Sequence, residues 1–282
     1  MNSFSLEKRV RPVVKWAGGK TGPLSQLVGH FPKNFNRYFE PFLGGGAAFL
    51  ALRPGVPAVI NDFNAELMTL YMTIRDCPQE LMEQLDHLAS HYSEKFYYDL
   101  RQSILTDPVS AAARTLFLNK TGFNGLYRLN SKGGFNVPFG KRPTCPTLYH
   151  KSNLLAVSLR LRNAEIRNED FELVIGAAGP GDFVYCDPPY EPLSQSACFT
   201  AYTASGFSQA DQLRLRCACQ SAVDRGASVA VSNSSATFIL ELFAHWRLKK
   251  IVAKRAINSQ GHQRGEIREV LALLGGNGST AR

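Results

Sequence analysis

The sequence predicts an α/β fold: an open sheet whose two halves are separated by a mainly helical insertion that ends in a hairpin. Three observations predict it. Short β-rich apolar runs alternate with segments of helical period. A glycine-rich turn, Gly44-Gly45-Gly46, follows the first run, and an acid, Asp62, closes the second about 20 residues later. From about residue 65 the pattern changes, and no strand signal interrupts the helices that follow.

Composition sets the class. The chain has 282 residues, 44% hydrophobic and 20% charged, which suits a soluble globular protein with a sizeable core. Lys and Arg number 32 against 23 Asp and Glu, a net charge of +9. That excess favours a polyanionic partner such as nucleic acid. Six scattered cysteines argue for a reduced, cytosolic setting over a disulfide scaffold, and only Cys217 and Cys219 are close, without a second ligand pair. No metal site is expected. Residues 1–11 lack an apolar signal core, and no apolar run is long enough to span a bilayer, so no membrane partner is expected.

The elements follow in order. Lys15-Trp16-Ala17-Gly18-Gly19-Lys20 places two glycines between a tryptophan and lysines, a backbone suited to close approach. Residues 23–31 have a helical face of Leu24, Leu27, Val28 and Phe31. Next come the strand of residues 37–40, the glycine turn with a helix after it, and the strand ending at Asn61-Asp62. Glycines there let helix N–H groups approach a cofactor, and an acid at the second strand's end is the usual ribose acceptor. It is neither a P-loop nor the spaced-glycine dinucleotide fingerprint. Helices are expected over residues 67–88, 96–104 and 109–120. The insertion closes with Phe123-Asn124-Gly125-Leu126-Tyr127-Arg128 and Phe135-Asn136-Val137-Pro138-Phe139-Gly140-Lys141, flanking a Lys132-Gly133-Gly134 turn. Basic, aromatic and amide groups alternate along it, the types that contact phosphates, stack and read base edges. A solvated glycine-rich loop is the plainer alternative.

The second half runs helix 152–161, strand 164–167, Asp170-Phe171 opening a helix, strand 183–186, a long polar loop over 191–207 suited to a lid, helix 209–225, strand 228–232 and helix 236–244. Two final β-rich runs, 248–252 and 270–274, are expected as an antiparallel pair at the sheet edge, joined by a basic loop over 254–264.

The chemistry concentrates in Asp187-Pro188-Pro189-Tyr190, where the strand 183–186 meets a loop. Asp187 can accept from an N–H, the prolines carry no competing N–H, and Tyr190 offers a stacking face. The set suits a flat ring bearing an exocyclic amino group. A rigid strand stop is the bland alternative.

These motifs together resemble the Dam-type, D12 class of DNA adenine-N6 methyltransferases. The resemblance runs from Lys15-Trp16-Ala17-Gly18-Gly19-Lys20 through Glu40-Pro41-Phe42, the glycine turn, residues 119–140 and Asp187-Pro188-Pro189-Tyr190 to Phe199-Thr200-Ala201-Tyr202. It implies a Rossmann-like, S-adenosylmethionine-dependent catalytic domain over 1–64 and 149–282, with a DNA target-recognition domain over 65–148. Matched by position, Trp16, Lys20, Glu40, Pro41, Gly44, Gly46, Asp62, Asp170, Phe171 and Asp187 would surround the cofactor. Asp62 would take the ribose hydroxyls, Asp170 the adenine amino group, and Phe171 the ring. A target adenine would be extruded from double-stranded DNA, held by Asp187, Pro188, Pro189 and Tyr190, and methylated directly without covalent intermediate or metal. Lys15, Phe123, Asn124, Leu126, Arg128, Pro138 and Lys141 would meet DNA, with GATC as the implied site. A monomer in the cytoplasm of a bacterial or phage-infected cell, at the nucleoid, is expected, and nothing indicates a cognate restriction nuclease. Phe123 stands where Tyr is usual, Lys141 where Arg is frequent, and Gly45 where Ala or Cys is commoner. Rival readings are cytosine-N4 or protein-glutamine methylation, which favour Ser or Asn at position 187, and a silent DNA-binding module, which would not need Trp16, Asp62, Asp187 and Tyr190 together.

Overall fold

A computed structural model describes residues 3, 10–130, 134–193, 207–254 and 266–275. Seven strands form one sheet: β1 (Tyr38–Glu40), β2 (Ala58–Asn61), β3 (Ala164–Arg167), β4 (Phe183–Cys186), β5 (Ser228–Ser234), β6 (Arg247–Lys254) and β7 (Glu266–Leu274), in the order β3-β2-β1-β4-β5-β7-β6. The first five are parallel, and β7 lies antiparallel between β5 and β6. All seven strand runs expected from the sequence are present. The mixed α/β architecture is the Rossmann-like one that the sequence predicts.

Strand periodicity explains the layers. Tyr38, Phe183 and Tyr185 point to one face, and Phe39, Val184 and Cys186 to the other, so both faces of the central strands are apolar and buried. The first face is covered by α1 (Leu24–Val28), α2 (Ala65–Asp76), α3 (Pro78–Ser90), α4 (Glu94–Gln102), α5 (Pro108–Thr121) and α6 (Lys151–Leu161), whose buried side chains join its cluster. The second is covered by α7 (Phe171–Gly176), α8 (Gln209–Asp224) and α9 (Thr237–Leu242). Leu67, Met68, Leu116, Phe117 and Phe139 share one cluster with Ile60 and Tyr185, so the segment between β2 and β3 packs into the sheet's own core.

The structure corrects two expected helices. The single helix over 67–88 is two, because Pro78 cannot continue α2 and instead starts α3. After the glycine turn only a 3-10 turn, Phe49–Ala51, forms. Leu52 is extended, and Pro54 disfavours helix in the residue before it. The expected lid over 191–207, the Phe199-Thr200-Ala201-Tyr202 motif and the basic loop 254–264 fall largely outside the described residues.

Sheet order fixes where a ligand can sit. The chain winds outward from β1 toward β3 and from β4 toward β5, so the order reverses between β1 and β4. Their carboxyl ends, Glu40-Pro41 and Asp187, flank the crevice that this reversal leaves.

Candidate active site and nucleic-acid face

At the end of β4, four side chains from three chain segments converge. Lys20, 5% exposed, places Nζ 2.9 Å from Asp187 Oδ1 and 4.0 Å from Glu269 Oε2. The same ammonium lies 4.6 Å from the centre of the Tyr190 ring and donates to the Gly18 carbonyl (2.8 Å). The Tyr190 hydroxyl donates to Glu269 Oε2 (2.9 Å). The Lys20 ammonium is the charge partner of Asp187 Oδ1, and among the described residues that buried oxygen takes no further hydrogen bond. It therefore retains acceptor capacity inside the crevice. Burial pushes the Asp187 carboxyl above its ordinary range, and the Lys20 charge pulls it back. Burial also raises the Tyr190 phenol, with Asp187 and Glu269 adding to the effect.

Behind this cluster the loop is braced from the other side. Gln212 Nε2 donates to the Pro189 carbonyl (3.0 Å), Asn233 Nδ2 to Gln212 Oε1 (3.1 Å), and the Glu191 N–H to Asn233 Oδ1 (3.0 Å). Gln212 and Asn233 are buried, so these bonds exchange with little water.

Across the crevice stands the glycine turn. Gly44 and Gly46 have φ of +48° and +68°, and a Cβ on Gly44 would come within 2.7 Å of the Trp16 indole. Trp16 packs on this turn, and its other contact is a stack on Tyr127 with centroids 5.0 Å apart. Asp62 accepts from the Gly44 N–H (2.8 Å) and the Asn64 N–H (3.0 Å), tying the turn to β2. Glu40 is buried at the end of β1 and accepts from the Tyr38 hydroxyl (2.9 Å), and burial drives its carboxyl well up. The Pro41 carbonyl accepts from Asn61 Nδ2 (3.0 Å). Lys20, matched by resemblance to the cofactor, lies on Asp187, which carries the same match.

Asp170 caps α7 by accepting from the Glu172 N–H, and both its oxygens take Arg214 Nη2 at 3.1 Å. The Phe171 ring is enclosed by Phe42 (5.3 Å), Phe207 (5.6 Å) and the Arg214 guanidinium (4.9 Å). The aromatic with an open face on this edge is Phe63, 85% exposed directly after Asp62. Sequence reasoning missed Phe63, Glu269, Arg214 and the Gln212–Asn233 brace. For Phe63 a signal existed: an aromatic ring between two polar residues at a strand end has no core reason to be there.

The hairpin forms a second face. Antiparallel bridges pair Gly122 with Phe139 and Leu129 with Phe135, and the Phe123 N–H donates to the Pro138 carbonyl (2.9 Å). Its inward row of Tyr127, Phe135, Val137 and Phe139 is buried. Phe123, Asn124, Arg128, Pro138 and Lys141 are exposed, and Leu126 is half-buried. Asn124 and Lys141 both adopt left-handed backbone, φ of 55° and 50°. Arg128 Nε donates to Asn136 Oδ1 (2.7 Å). Lys15 joins this face because buried Asn119 bonds both its N–H and its carbonyl (2.9 Å each), which lays the Lys15 stem along Gly125. The two faces are linked: the Tyr127 hydroxyl donates to Glu66 (2.7 Å) and Asn64 (3.3 Å), beside Asp62.

Known proteins match this chain over most of its length. Residues 16–257 match the family model described as D12 class N6 adenine-specific DNA methyltransferase. The chain belongs to that family. It is 41% identical to the Type II methyltransferase M1.LlaDCHI of Lactococcus lactis subsp. cremoris, over 98% of this chain and 100% of that one. It is 38% identical to the Type II methyltransferase M.MjaIII of Methanocaldococcus jannaschii (94% and 99% covered), and 35% identical to the DNA adenine methylase of Salmonella typhi (94% and 96% covered). The chain is thus an adenine-specific DNA methyltransferase. Among the described residues no helix is long and apolar enough to cross a membrane.

Proposed function

We propose that this enzyme transfers a methyl group from S-adenosylmethionine to N6 of an adenine swung out of duplex DNA, within GATC. The observation that carries the reading is the Asp187 carboxylate: paired with the Lys20 ammonium, which also lies over the Tyr190 ring, and with acceptor capacity left at the crevice between β1 and β4.

The cofactor's seat fits the residues present. A Cβ-free turn at Gly44 and Gly46 gives the chain its close approach, Asp62 offers carboxylate lone pairs toward ribose hydroxyls, and exposed Phe63 offers a face to the adenine ring. Asp170 stays at the ring's amino edge with Arg214 holding it, and Phe171 forms the apolar floor beneath. Trp16 supports the turn from behind, and Glu40 lines the crevice. S-adenosylmethionine, when bound, supplies an electrophilic methyl on sulfur.

The rest of the chemistry belongs to the chain. Asp187 and the Pro188 carbonyl accept from the adenine N6–H groups, drawing the nitrogen lone pair out of ring conjugation. Tyr190 stacks on the base, so that N6 would be presented to the methyl group that the bound cofactor would supply. The proton that N6 sheds passes to Asp187. Burial raises the Asp187 carboxyl, and the Lys20 ammonium opposes that effect and so favours the ionised, accepting form. Positioning and fixed charge account for most of the acceleration, with no covalent enzyme intermediate.

For the duplex, the segment 65–148 acts as the target-recognition unit. Arg128 reads guanine O6 and N7, Leu126 and Pro138 meet a thymine methyl, Phe123 wedges into the stack, and Asn124 steadies the opened pair. Lys15 and Lys141 neutralise phosphate or meet base edges nearby. Incubating the protein with duplex DNA and labelled S-adenosylmethionine, then mapping modified bases by sequencing, tests this. N6-methyladenine in GATC is the expected product; label on cytosine N4, or at adenines without that context, would overturn the corresponding part.

A further inference from the structure

Glu269 belongs to none of the sequence motifs, yet the sheet delivers it to the reacting edge. The five parallel strands present their carboxyl ends there, but β7 runs the other way, so its early residues arrive at that edge instead. Glu269 pairs in register with Ser234, at the end of β5. Alternation along β7 turns Leu271 and Leu273 to the face that holds Tyr185, and Glu269 shares that side. Its Oε2 receives the Tyr190 hydroxyl at 2.9 Å and stands 4.0 Å from Lys20 Nζ, itself 2.9 Å from Asp187.

We propose that Glu269 is a positioning residue for methyl transfer. Its carboxylate fixes the Tyr190 ring through the phenol, and it shares the Lys20 ammonium with Asp187. The stacking face and the acceptor oxygen are thereby held in one geometry. The inference rests on the reading of Asp187 and Tyr190 as the grip on the target base. Sharing the ammonium has a second effect: Glu269 places a negative charge near Asp187 and so opposes its ionisation. The other groups that face or feel Asp187 are Lys20, Tyr190, Tyr185, Cys186 and Glu40.

The test is single-turnover methylation of a GATC duplex by the full chain across pH, with duplex affinity measured alongside. Glu269→Gln keeps an oxygen for Tyr190 but removes the charge. It is expected to retain most of the rate while the acid limb moves to lower pH, because ionised Asp187 is no longer opposed. Glu269→Ala loses both contacts, and its rate is expected to fall about tenfold with duplex affinity within about twofold. A merely structural glutamate would lower the rate equally at every pH, so an unmoved acid limb in Glu269→Gln overturns the proposal. Asp187→Asn separates the two layers. If it is inactive while Glu269→Gln keeps the wild-type profile, the Glu269 inference alone fails; if it is active, the reading beneath fails and takes this inference with it.

Discussion

The cluster at the end of β4 and the outer row of the hairpin hold their charges in opposite ways. Lys20, Asp187 and Glu269 are nearly closed off from water and paired with one another before any substrate arrives. Arg128, Lys141 and Lys15 are exposed, and among the described residues Arg128 hydrogen-bonds to its neighbour Asn136. The contrast suits the two roles proposed for these regions. A transition state rewards groups that are already fixed in a low-dielectric place, because reorganisation then costs nothing at the moment of reaction. A duplex brings its own charge, so its contacts can stay hydrated until it docks.

That contrast can be broken in graded steps. The largest effect is expected at the acceptor itself. Asp187→Ala should lower kcat by about 10³-fold or more while duplex binding stays within a few-fold; parallel loss of both would place Asp187 in the DNA interface. Arg128→Ala should act on the other side, costing about 1–3 kcal/mol of discrimination at one base pair with transfer chemistry intact on the cognate site. Profiling methylation over a library of near-cognate duplexes measures it, and an unrelaxed pattern would remove Arg128 from base reading. Lys20→Met sharpens the electrostatic half. Removing the ammonium leaves burial to hold the Asp187 carboxyl up, so the acid limb of kcat should move to higher pH, opposite in sign to Glu269→Gln. The smallest effect is expected for Lys15→Ala: uniform weakening across sequences, with the slope of log affinity against log salt reduced by about one. A salt slope that does not change would mean that Lys15 meets no phosphate.

The two regions also differ in how far they could be read from the chain. Asp187-Pro188-Pro189-Tyr190, the glycine turn and the hairpin are contiguous in sequence, so their chemistry is visible before folding. The strands were legible for the same reason, as short apolar runs between breakers. What was hidden depends on sheet order. Glu269 meets Tyr190 across 79 positions, and only an antiparallel strand placed beside β5 could bring it there. Gln212 reaches Pro189, and Arg214 reaches Asp170, through the packing of α8 on the second face. Phe171 is enclosed by Phe42, Phe207 and Arg214, a consequence of three segments meeting that no local pattern announces. The misread helix over 67–88 had a local cause: its apolar period continues in phase across Pro78, and the proline outweighs that continuity.

The hairpin's buried row has a wider consequence. Tyr127, Phe135, Val137 and Phe139 belong to the same apolar cluster as Tyr38, Ile60 and Tyr185 of the sheet. The hairpin and the sheet therefore share one apolar core, so a change in one is felt in the packing of the other. For a lineage acquiring a new target sequence, the outer row is cheap to alter, since surface changes hardly move stability. The inner row is not: a large-to-small substitution beneath Arg128 opens a cavity in a core that the hairpin shares with the sheet, so it costs stability there.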